Sequence, residues 1–472
     1  MASSANRLLV IGAGPGGYAA AFYAADLGMQ VTLVDKQKNP GGVCLFRGCI
    51  PSKALLHAAK ILTDAKEAKE IGIEFSEPKI NLDQVRSWKN SVVEKLTGGL
   101  GKLSKQRKIN FIQGAAQFID SSSAKISKTD GGEETLSFGH AIIATGSHPI
   151  RLPFAPDSKR ILDSTSALNI EDIPQKLLVI GGGYIGLELG SVYHAMGSKI
   201  TVVEMLPNIL PGADRDLSQV LLKRIKNQFA DIKLNTKVTR LEETSEGLSV
   251  AFENKEGKIV SESFDKVLIS IGRKVTTEGL GLENTKVTTT EKGFINVDLK
   301  RQTTDPDIYA IGDIAGEPML AHKASHEGRV AVEAILGHKV AFEPKAIPAV
   351  VFTDPEIAWC GLTETEAREQ NRDITAAKFP WAASGRAITL NRPEGLTKLI
   401  IDTRTERVLG VALAGTGAGE MIAEGVVAVE MSANAKDLKL CIHPHPTLSE
   451  TLMEAAESFF GLSTHIYRPK KK

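Results

Sequence analysis

The chain has 472 residues, a length that predicts about three domains of ordinary size. Its 57 basic and 56 acidic residues leave a formal net charge of +1, which argues against a nucleic-acid-coating protein. Its four cysteines are too few for a secreted disulfide scaffold. We therefore expect a cytoplasmic protein, in which a close cysteine pair would have a metal-binding or redox role.

The first uncharged stretch, residues 8–25, is almost long enough to suggest a membrane span. Four glycines and a proline fall at 12–17, however, and would break a spanning helix. We therefore predict no membrane segment. The pattern instead predicts a strand at 8–11, a glycine turn at 12–17, a helix at 18–27, and a strand at 31–34 that Asp35 closes.

The same pattern returns about 170 residues later. A strand at 177–180 leads into the glycine run at 181–186, a helix to Met196, and a strand at 200–203 closed by Glu204. In such a motif the first glycine makes the turn, the second admits a pyrophosphate and the third lets helix pack on strand. A structural glycine turn could explain one copy, but two copies indicate that the chain binds two dinucleotides.

The acid of the second copy favours NAD over NADP. A carboxylate at Glu204 suits a free ribose 2′-hydroxyl and repels a 2′-phosphate. Residues 205–208, which follow it, contain no arginine that could bind such a phosphate.

The remaining sequence predicts further elements around these two units. From about Pro348 to the end there are strand-like and helical stretches but no glycine fingerprint, so we expect a third region of a different kind. In chain order the other predictions are helices near 52–69 and 81–106, a strand at 141–144, a linker at 147–156, and strands at 267–271 and 308–311.

Cys44 and Cys49 are separated by four residues, a spacing that lets a bent loop close a disulfide. A helix start at 50–53 would place Cys49 near a helix N-terminus, which lowers the pKa of a thiol. Half of a zinc site or two inert thiols remain alternatives, although zinc would need further ligands and Cys360 and Cys441 are distant and single. We expect those two to be ordinary buried thiols.

A histidine-rich turn near the C-terminus is the third candidate. A histidine beside a carboxylate can hold a proton near neutral pH, and a dithiol–disulfide enzyme needs such a base. Glu450 could supply the carboxylate, but periodicity does not choose between His443 and His445. A structural or merely exposed turn remains the alternative for this segment taken alone.

Together these features resemble the FAD-dependent pyridine nucleotide–disulfide oxidoreductases. The resemblance covers residues 7–465, and within the family it is closest to the dihydrolipoamide dehydrogenases, which serve 2-oxo acid dehydrogenase and glycine cleavage complexes. The motifs that carry it, in the family's order, lie at 12–17, 41–53, 144–146, 181–188, 310–313, 319–323, 379–387 and 443–450.

The resemblance implies an α/β fold with two Rossmann-like dinucleotide-binding domains and a C-terminal α+β dimerisation domain. The expected parts are an FAD-binding domain at 1–150, an NAD-binding domain at 151–275, a central segment at 276–347 that completes the FAD domain, and the dimerisation domain at 348–472.

The resemblance also implies FAD at the first fingerprint and NAD at the second. Asp35 would contact the adenosine ribose of FAD, and Lys53 would lie near the flavin ring and pair with Glu188. The implied FAD-binding residues are Gly12, Gly14, Gly17, Asp35, Gly42, Lys53, Ala116, Thr145, Gly146, Asp313 and Ala321. The implied NAD-binding residues are Gly181, Gly183, Gly186, Glu188, Glu204, Val238 and Gly272.

In the implied reaction, protein-bound dihydrolipoamide is oxidised and NAD is reduced, with no metal. Cys44 resembles the thiol that meets the substrate, and Cys49 the thiol that contacts the flavin. His445 resembles the catalytic base that Glu450 orients, supplied by the partner subunit of a homodimer. The implied partners are lipoyl domains and an acyltransferase core, not nucleic acid or a membrane.

Three positions depart from the family's usual residues. Asp35 is shorter than the usual glutamate, so its ribose contact could be longer. Phe46 and Arg47 add bulk and charge between the cysteines. Pro444 stiffens the histidine loop without removing the base.

Overall fold

The computed structural model describes residues 6–467. The basic tail Lys470–Lys472, for which we predict solvation without a binding role, lies outside them. Between residues 6 and 467, no helix combines the length and the apolar character that a bilayer crossing requires.

The helices and strands alternate through most of the described chain. The helices are α1 (Pro15–Asp26), α2 (Gly42–Arg47), α3 (Cys49–Glu67), α4 (Leu82–Gln106), α5 (Tyr184–Ala195), α6 (Arg215–Lys226), α7 (Ala321–Ile335), α8 (Glu364–Glu369), α9 (Gly385–Thr389), α10 (Ala418–Glu430), α11 (Ala435–Leu440) and α12 (Glu450–Phe459). The strands are β1 (Arg7–Ile11), β2 (Gln30–Asp35), β3 (Asn110–Asp120), β4 (Ser123–Lys128), β5 (Glu133–Ser137), β6 (His140–Ile143), β7 (Ser147–Pro149), β8 (Ile161–Leu162), β9 (Lys176–Ile180), β10 (Lys199–Val203), β11 (Asp231–Lys233), β12 (Thr236–Glu243), β13 (Leu248–Asn254), β14 (Ile259–Phe264), β15 (Lys266–Ile269), β16 (Arg273–Val275), β17 (Ile308–Ala310), β18 (Ala349–Val351), β19 (Glu356–Gly361), β20 (Ile374–Pro380), β21 (Leu396–Asp402) and β22 (Val408–Gly415).

The largest sheet has seven strands in the order β17-β6-β1-β2-β3-β4-β5. The first five pair in parallel, and β4 and β5 add an antiparallel extension. Strands of a covered parallel sheet are apolar along their length, and β1 is buried from Leu8 to Ile11. Helices α1 and α7 pack against each other beside this sheet.

The second sheet has five parallel strands in the order β11-β10-β9-β15-β8. Its β9-α5-β10 unit repeats β1-α1-β2, which confirms the predicted duplication. Both helices begin directly after the second glycine of their motif, at Pro15 and Tyr184, earlier than we predict. The third glycine therefore lies in the first helical turn, whose N–H groups have no partner within the helix.

The predicted linker at 147–156 is wrong in its first residues. Ser147–Pro149 form β7, which pairs antiparallel with β16. Pairing gives the backbone groups of this crossing segment hydrogen-bond partners that an exposed linker would find only in water. A three-stranded antiparallel sheet, β12-β13-β14, lies nearby in the sequence.

The C-terminal region forms a five-stranded antiparallel sheet in the order β18-β19-β22-β21-β20, with α10 and α12 packed on it. Lys398 on β21 is fully buried, and its Nζ lies 2.6 Å from Asp214 Oδ2 and 2.8 Å from Asp216 Oδ1. Both acids lie at the start of α6, so this ion cluster ties the second unit to the C-terminal sheet. The exact domain limits stay a prediction.

Candidate active site

One large cavity of about 560 Å³ lies beside the first glycine turn, the two cysteines and the start of α3. Gly17 does not line it: a Cβ there would lie 1.8 Å from Gly12 O, so this glycine serves the close packing of helix and strand. The predicted site residues that do line the cavity are Gly12, Gly14, Asp35, Gly42, Cys44, Cys49, Lys53, Ala116, Thr145, Gly146, Glu188, Asp313 and Ala321.

The acids that close the two strand–helix–strand units make the same contacts. Asp35 Oδ2 accepts from Ala13 N at 2.7 Å and its Oδ1 from Gln37 N at 2.8 Å. Glu204 Oε2 accepts from Gly182 N at 2.7 Å and its Oε1 from Leu206 N at 2.8 Å. Each carboxylate therefore fixes its glycine turn and still has lone pairs for a ribose hydroxyl.

The other predicted NAD residues lie at one edge of the second sheet, outside the large cavity. The glycines at 181–186 follow β9, Glu204 follows β10 and Gly272 follows β15, and these three strands are neighbours. The carboxyl ends of parallel strands meet at one edge, where open α/β sheets bind nucleotides. Val238 lies on β12, two residues after Thr236, whose N–H donates to Glu204 O at 3.0 Å.

Cys44 and Cys49 are brought together by consecutive helices. Cys44 lies on α2, and α3 begins at Cys49. Both are free thiols, and a hydrogen bond from Cys44 lowers the pKa of Cys49 to about 7, with Lys53 acting in the same direction. The same contact, together with burial, raises the pKa of Cys44. The pair thus consists of one thiol that ionises near neutral pH and one that stays protonated.

The predicted pairing of Lys53 with Glu188 is present beside the cysteines. Lys53 Nζ lies 2.8 Å from Glu188 Oε2 and 4.4 Å from the centre of the Phe352 ring. Glu188 is buried and also accepts from Ser52 Oγ at 3.2 Å and from Phe352 N at 2.9 Å. The three donors satisfy this buried carboxylate, and the pairing holds the ammonium group at the cavity wall.

His445 and Glu450 pair with each other but do not line this cavity in a single chain. His445 Nδ1 lies 2.9 Å from Glu450 Oε1, and Thr447 N donates to Glu450 Oε2 at 2.8 Å. Burial alone would raise the pKa of Glu450, but the Thr447 N–H and the His445 ring outweigh it and lower that pKa. The ring therefore has an ionised carboxylate beside Nδ1, and the His445 side chain is largely exposed.

Sequence reasoning missed a chain of polar contacts that reaches Asp313. The Ser147 hydroxyl donates to the Asp313 carboxylate, and Arg273 Nε donates to Ser147 Oγ at 2.7 Å. Arg273 also donates to Ser147 O at 2.6 Å. Each residue directly follows a glycine that we predict as a cofactor contact, Gly146 and Gly272, which is the signal that could have found them.

The expectation for the two single cysteines is half right. Cys360 is buried, and burial raises its pKa to about 12. Cys441 is exposed, so the prediction of a second buried thiol is wrong. It caps the end of α11 and leads into the histidine loop, a connection that runs over the surface.

Comparison with known proteins agrees with this arrangement. The family model for pyridine nucleotide-disulphide oxidoreductases matches residues 6–328, and the model for the dimerisation domain of that family matches 347–456. The dihydrolipoyl dehydrogenases of Vibrio cholerae and Haemophilus influenzae are 47% and 48% identical over 467 and 470 residues. Each of these alignments covers 99% of this chain and 98% of the relative.

A solved structure shows that the fold is shared as well as the sequence. LpdA from Mycobacterium tuberculosis superposes with a TM-score of 0.89 at 28% identity, covering 96% of this chain and 99% of LpdA. The expected α/β class with a C-terminal dimerisation domain is confirmed. Because the first family model spans more than half of the sequence, the chain belongs to the pyridine nucleotide-disulphide oxidoreductase family.

Proposed function

We propose that this enzyme oxidises protein-bound dihydrolipoamide to lipoamide and reduces NAD to NADH. Members of this family use FAD and NAD. The observation that carries the proposal is the pair of thiols at the start of α3, one with a pKa near 7, inside the cavity that the first glycine turn lines. Full-length relatives named dihydrolipoyl dehydrogenase support the choice of substrate.

The cavity fits FAD in size and in the groups that it presents. A volume of about 560 Å³ is in the usual range for cofactor sites. Helices α1 and α7 begin at its wall without side-chain caps, so their first N–H groups can bind phosphate oxygens. Gly12, Gly14 and Ala321 would approach the pyrophosphate, Asp35 a ribose, Ala116 the adenine, and Asp313 the ribityl chain.

Bound there, FAD would supply the two-electron redox chemistry that links the dithiol to NAD. The Lys53 ammonium group would lie near the flavin ring, where its positive charge favours negative charge on that ring. The pairing with Glu188 fixes the position of this charge. Thr145 and Gly146 complete the wall on the side of β6.

The cysteines and the histidine would perform the dithiol exchange. His445 takes a proton from one substrate thiol, and the thiolate attacks Cys44 Sγ of the oxidised Cys44–Cys49 pair. A substrate–Cys44 bond forms, the Cys44–Cys49 bond breaks, and Cys49 leaves as a thiolate beside the Lys53 ammonium group, whose positive charge lowers the pKa of Cys49. The second substrate thiol closes the lipoamide disulfide, Cys44 takes one proton, and His445 keeps the other.

Since His445 does not line the cavity of its own chain, this reaction requires a second copy. The exposed apolar side chains of the C-terminal region support such a homodimer: Ile442 is 98% exposed and Met431 77%, with Val427 and Leu440 nearby in the sequence. We propose lipoyl domains and the acyltransferase core of 2-oxo acid dehydrogenase complexes as further partners. The low number of cysteines, four in 472 residues, favours the cytoplasm as its compartment.

Anaerobic reduction by dihydrolipoamide tests the proposal. The purified protein should show a flavin spectrum that gains a long-wavelength charge-transfer band with dihydrolipoamide, and NADH should form when NAD is added. Cys49→Ser should retain FAD and lose turnover, whereas Cys441→Ser, the matched control at an exposed thiol, should keep full turnover. A flavin spectrum that NADH bleaches but dihydrolipoamide leaves unchanged would reject the substrate.

A further inference from the structure

The loop at 441–449 holds its two histidines in different surroundings. The His445 side chain is 73% exposed, and among residues 6–467 its ring contacts a single polar partner, Glu450. The His443 side chain is 6% exposed, and both of its ring nitrogens lie within hydrogen-bond distance of an oxygen. One histidine is therefore free to reach a second molecule, and the other is fixed in the protein.

The partners of His443 fix the orientation of its ring. Nδ1 lies 3.1 Å from Cys441 O, and Nε2 lies 2.8 Å from Glu424 Oε1. A backbone carbonyl only accepts, so Nδ1 carries a hydrogen and donates it. Nε2 makes the second hydrogen bond, with the Glu424 carboxyl group. Partners at both nitrogens fix the orientation of the ring.

The contact between His443 and Glu424 joins the histidine loop to a helix that is packed in the fold. Glu424 lies on α10, which packs on β19 and β22 of the C-terminal sheet. Only Pro444 separates the clamped His443 from His445, and the proline ring fixes its φ angle. The position of the His445 backbone therefore follows that of His443 closely.

We propose that His443 and Glu424 form a positioning pair for the general base His445. The pair holds the loop on α10. The exposed His445 ring is thereby kept in one position, directed toward the dithiol that a second copy of the chain binds. The inference rests on the proposed function, in which His445 takes the thiol proton. A displacement of the base by about 1 Å can lower the rate of such a step about 100-fold. The pair therefore acts on proton transfer and not on the NAD site.

The two half-reactions of the holoenzyme separate this role from a structural one. We would compare Glu424→Gln, which is isosteric, with His443→Phe and the double variant. The matched control is Glu420→Gln, one turn earlier on α10, because Glu420 is exposed and its side chain makes no hydrogen bond or ion pair within residues 6–467. Stopped-flow absorbance would follow flavin reduction by dihydrolipoamide and, separately, by NADH.

Both single variants should slow the dithiol half-reaction by about tenfold or more, and the double variant should be no slower than the slower single variant. Reduction by NADH and the rates of the Glu420→Gln control should stay within about twofold of the parent. Equal losses in both half-reactions, a dithiol rate within twofold of the parent, or losses that multiply in the double variant would each overturn the proposal. A parent enzyme that dihydrolipoamide does not reduce would overturn the proposed function first.

Discussion

Removing the Cys44 thiol should shift the ionisation of Cys49 upward. The hydrogen bond from Cys44 is the largest cause that lowers the pKa of Cys49 from its ordinary value of 9.0 to about 7. In Cys44→Ala this bond is lost, while Lys53 and the start of α3 remain. We therefore expect the midpoint to rise by one pH unit or more, toward 9.0.

The size of the effect at pH 7 follows from the thiolate fraction. A pKa of about 7 leaves about half of Cys49 ionised at pH 7, and a pKa of 9.0 leaves about 1%, a loss of about 50-fold. The more basic thiolate is the better nucleophile by about 8-fold, for a Brønsted slope of ~0.45. The alkylation rate at pH 7 should therefore fall by up to about 6-fold, whereas the rate at pH 10 should rise.

Iodoacetamide alkylation across pH, followed by mass spectrometry of the Cys49 peptide, measures this midpoint. The exposed Cys441 would be replaced by serine in both proteins, so that it does not consume reagent. A Cys49 midpoint that stays near 7 in Cys44→Ala would refute the reasoning and assign the acidity to Lys53 and the helix start instead.

Three further predictions test the cavity and the ion cluster. Gly42→Ala should weaken FAD binding about tenfold or more by fluorescence titration, because its Cβ would lie 2.4 Å from Gly14 Cα; Gly28→Ala, also at positive φ but with open space, should not. Lys398→Met should lower the free energy of unfolding in urea by about 3–5 kcal/mol, because three carboxylates lose a buried cation, and a loss below about 1 kcal/mol would contradict this. Burial of Asp214 raises its pKa, but the hydrogen bonds from Lys398 and Thr365 outweigh burial. Together they lower the pKa of Asp214 from 3.8 to about 2. Its contribution of about 2 kcal/mol should be complete above pH 4 and lost as pH falls toward 2, a loss that Asp214→Asn should not show in acid titrations.

The glycine turns and their acids were the most predictable part of the fold. Strand, turn, helix and strand follow from apolar runs interrupted by glycine, and the structure contains both copies. The start of α1 was less predictable, because Pro15 lies inside the glycine turn. A proline in the first helical turn needs no hydrogen-bond donor, so α1 begins at Pro15. The helix start predicted at 50–53 lies within one residue of the observed start of α3 at Cys49.

The site was only partly readable, because its contacts join residues far apart in the sequence. Spacing could suggest that Cys44 and Cys49 meet, but not that the buried Glu188 carboxylate accepts hydrogen bonds from both Lys53 and the Phe352 N–H. Spacing also left open which of His443 and His445 is the general base. That choice depends on burial, which places His443 against Glu424 and leaves His445 exposed.

The departure at Asp35 has a physical reason that lies in the packing of its glycine turn. Both acids accept a hydrogen bond from the residue after the first glycine, Ala13 in one turn and Gly182 in the other. A Cβ on Gly182 would lie 3.2 Å from Glu204 Cβ and 3.2 Å from its Oε2, which is tighter than ordinary van der Waals contact. The shorter aspartate carries one methylene less, and this leaves room for the fully buried Ala13 methyl group. The size of residue 13 and the length of the acid therefore depend on each other. The effect of replacing Asp35 by glutamate in the first turn is set by the alanine at position 13.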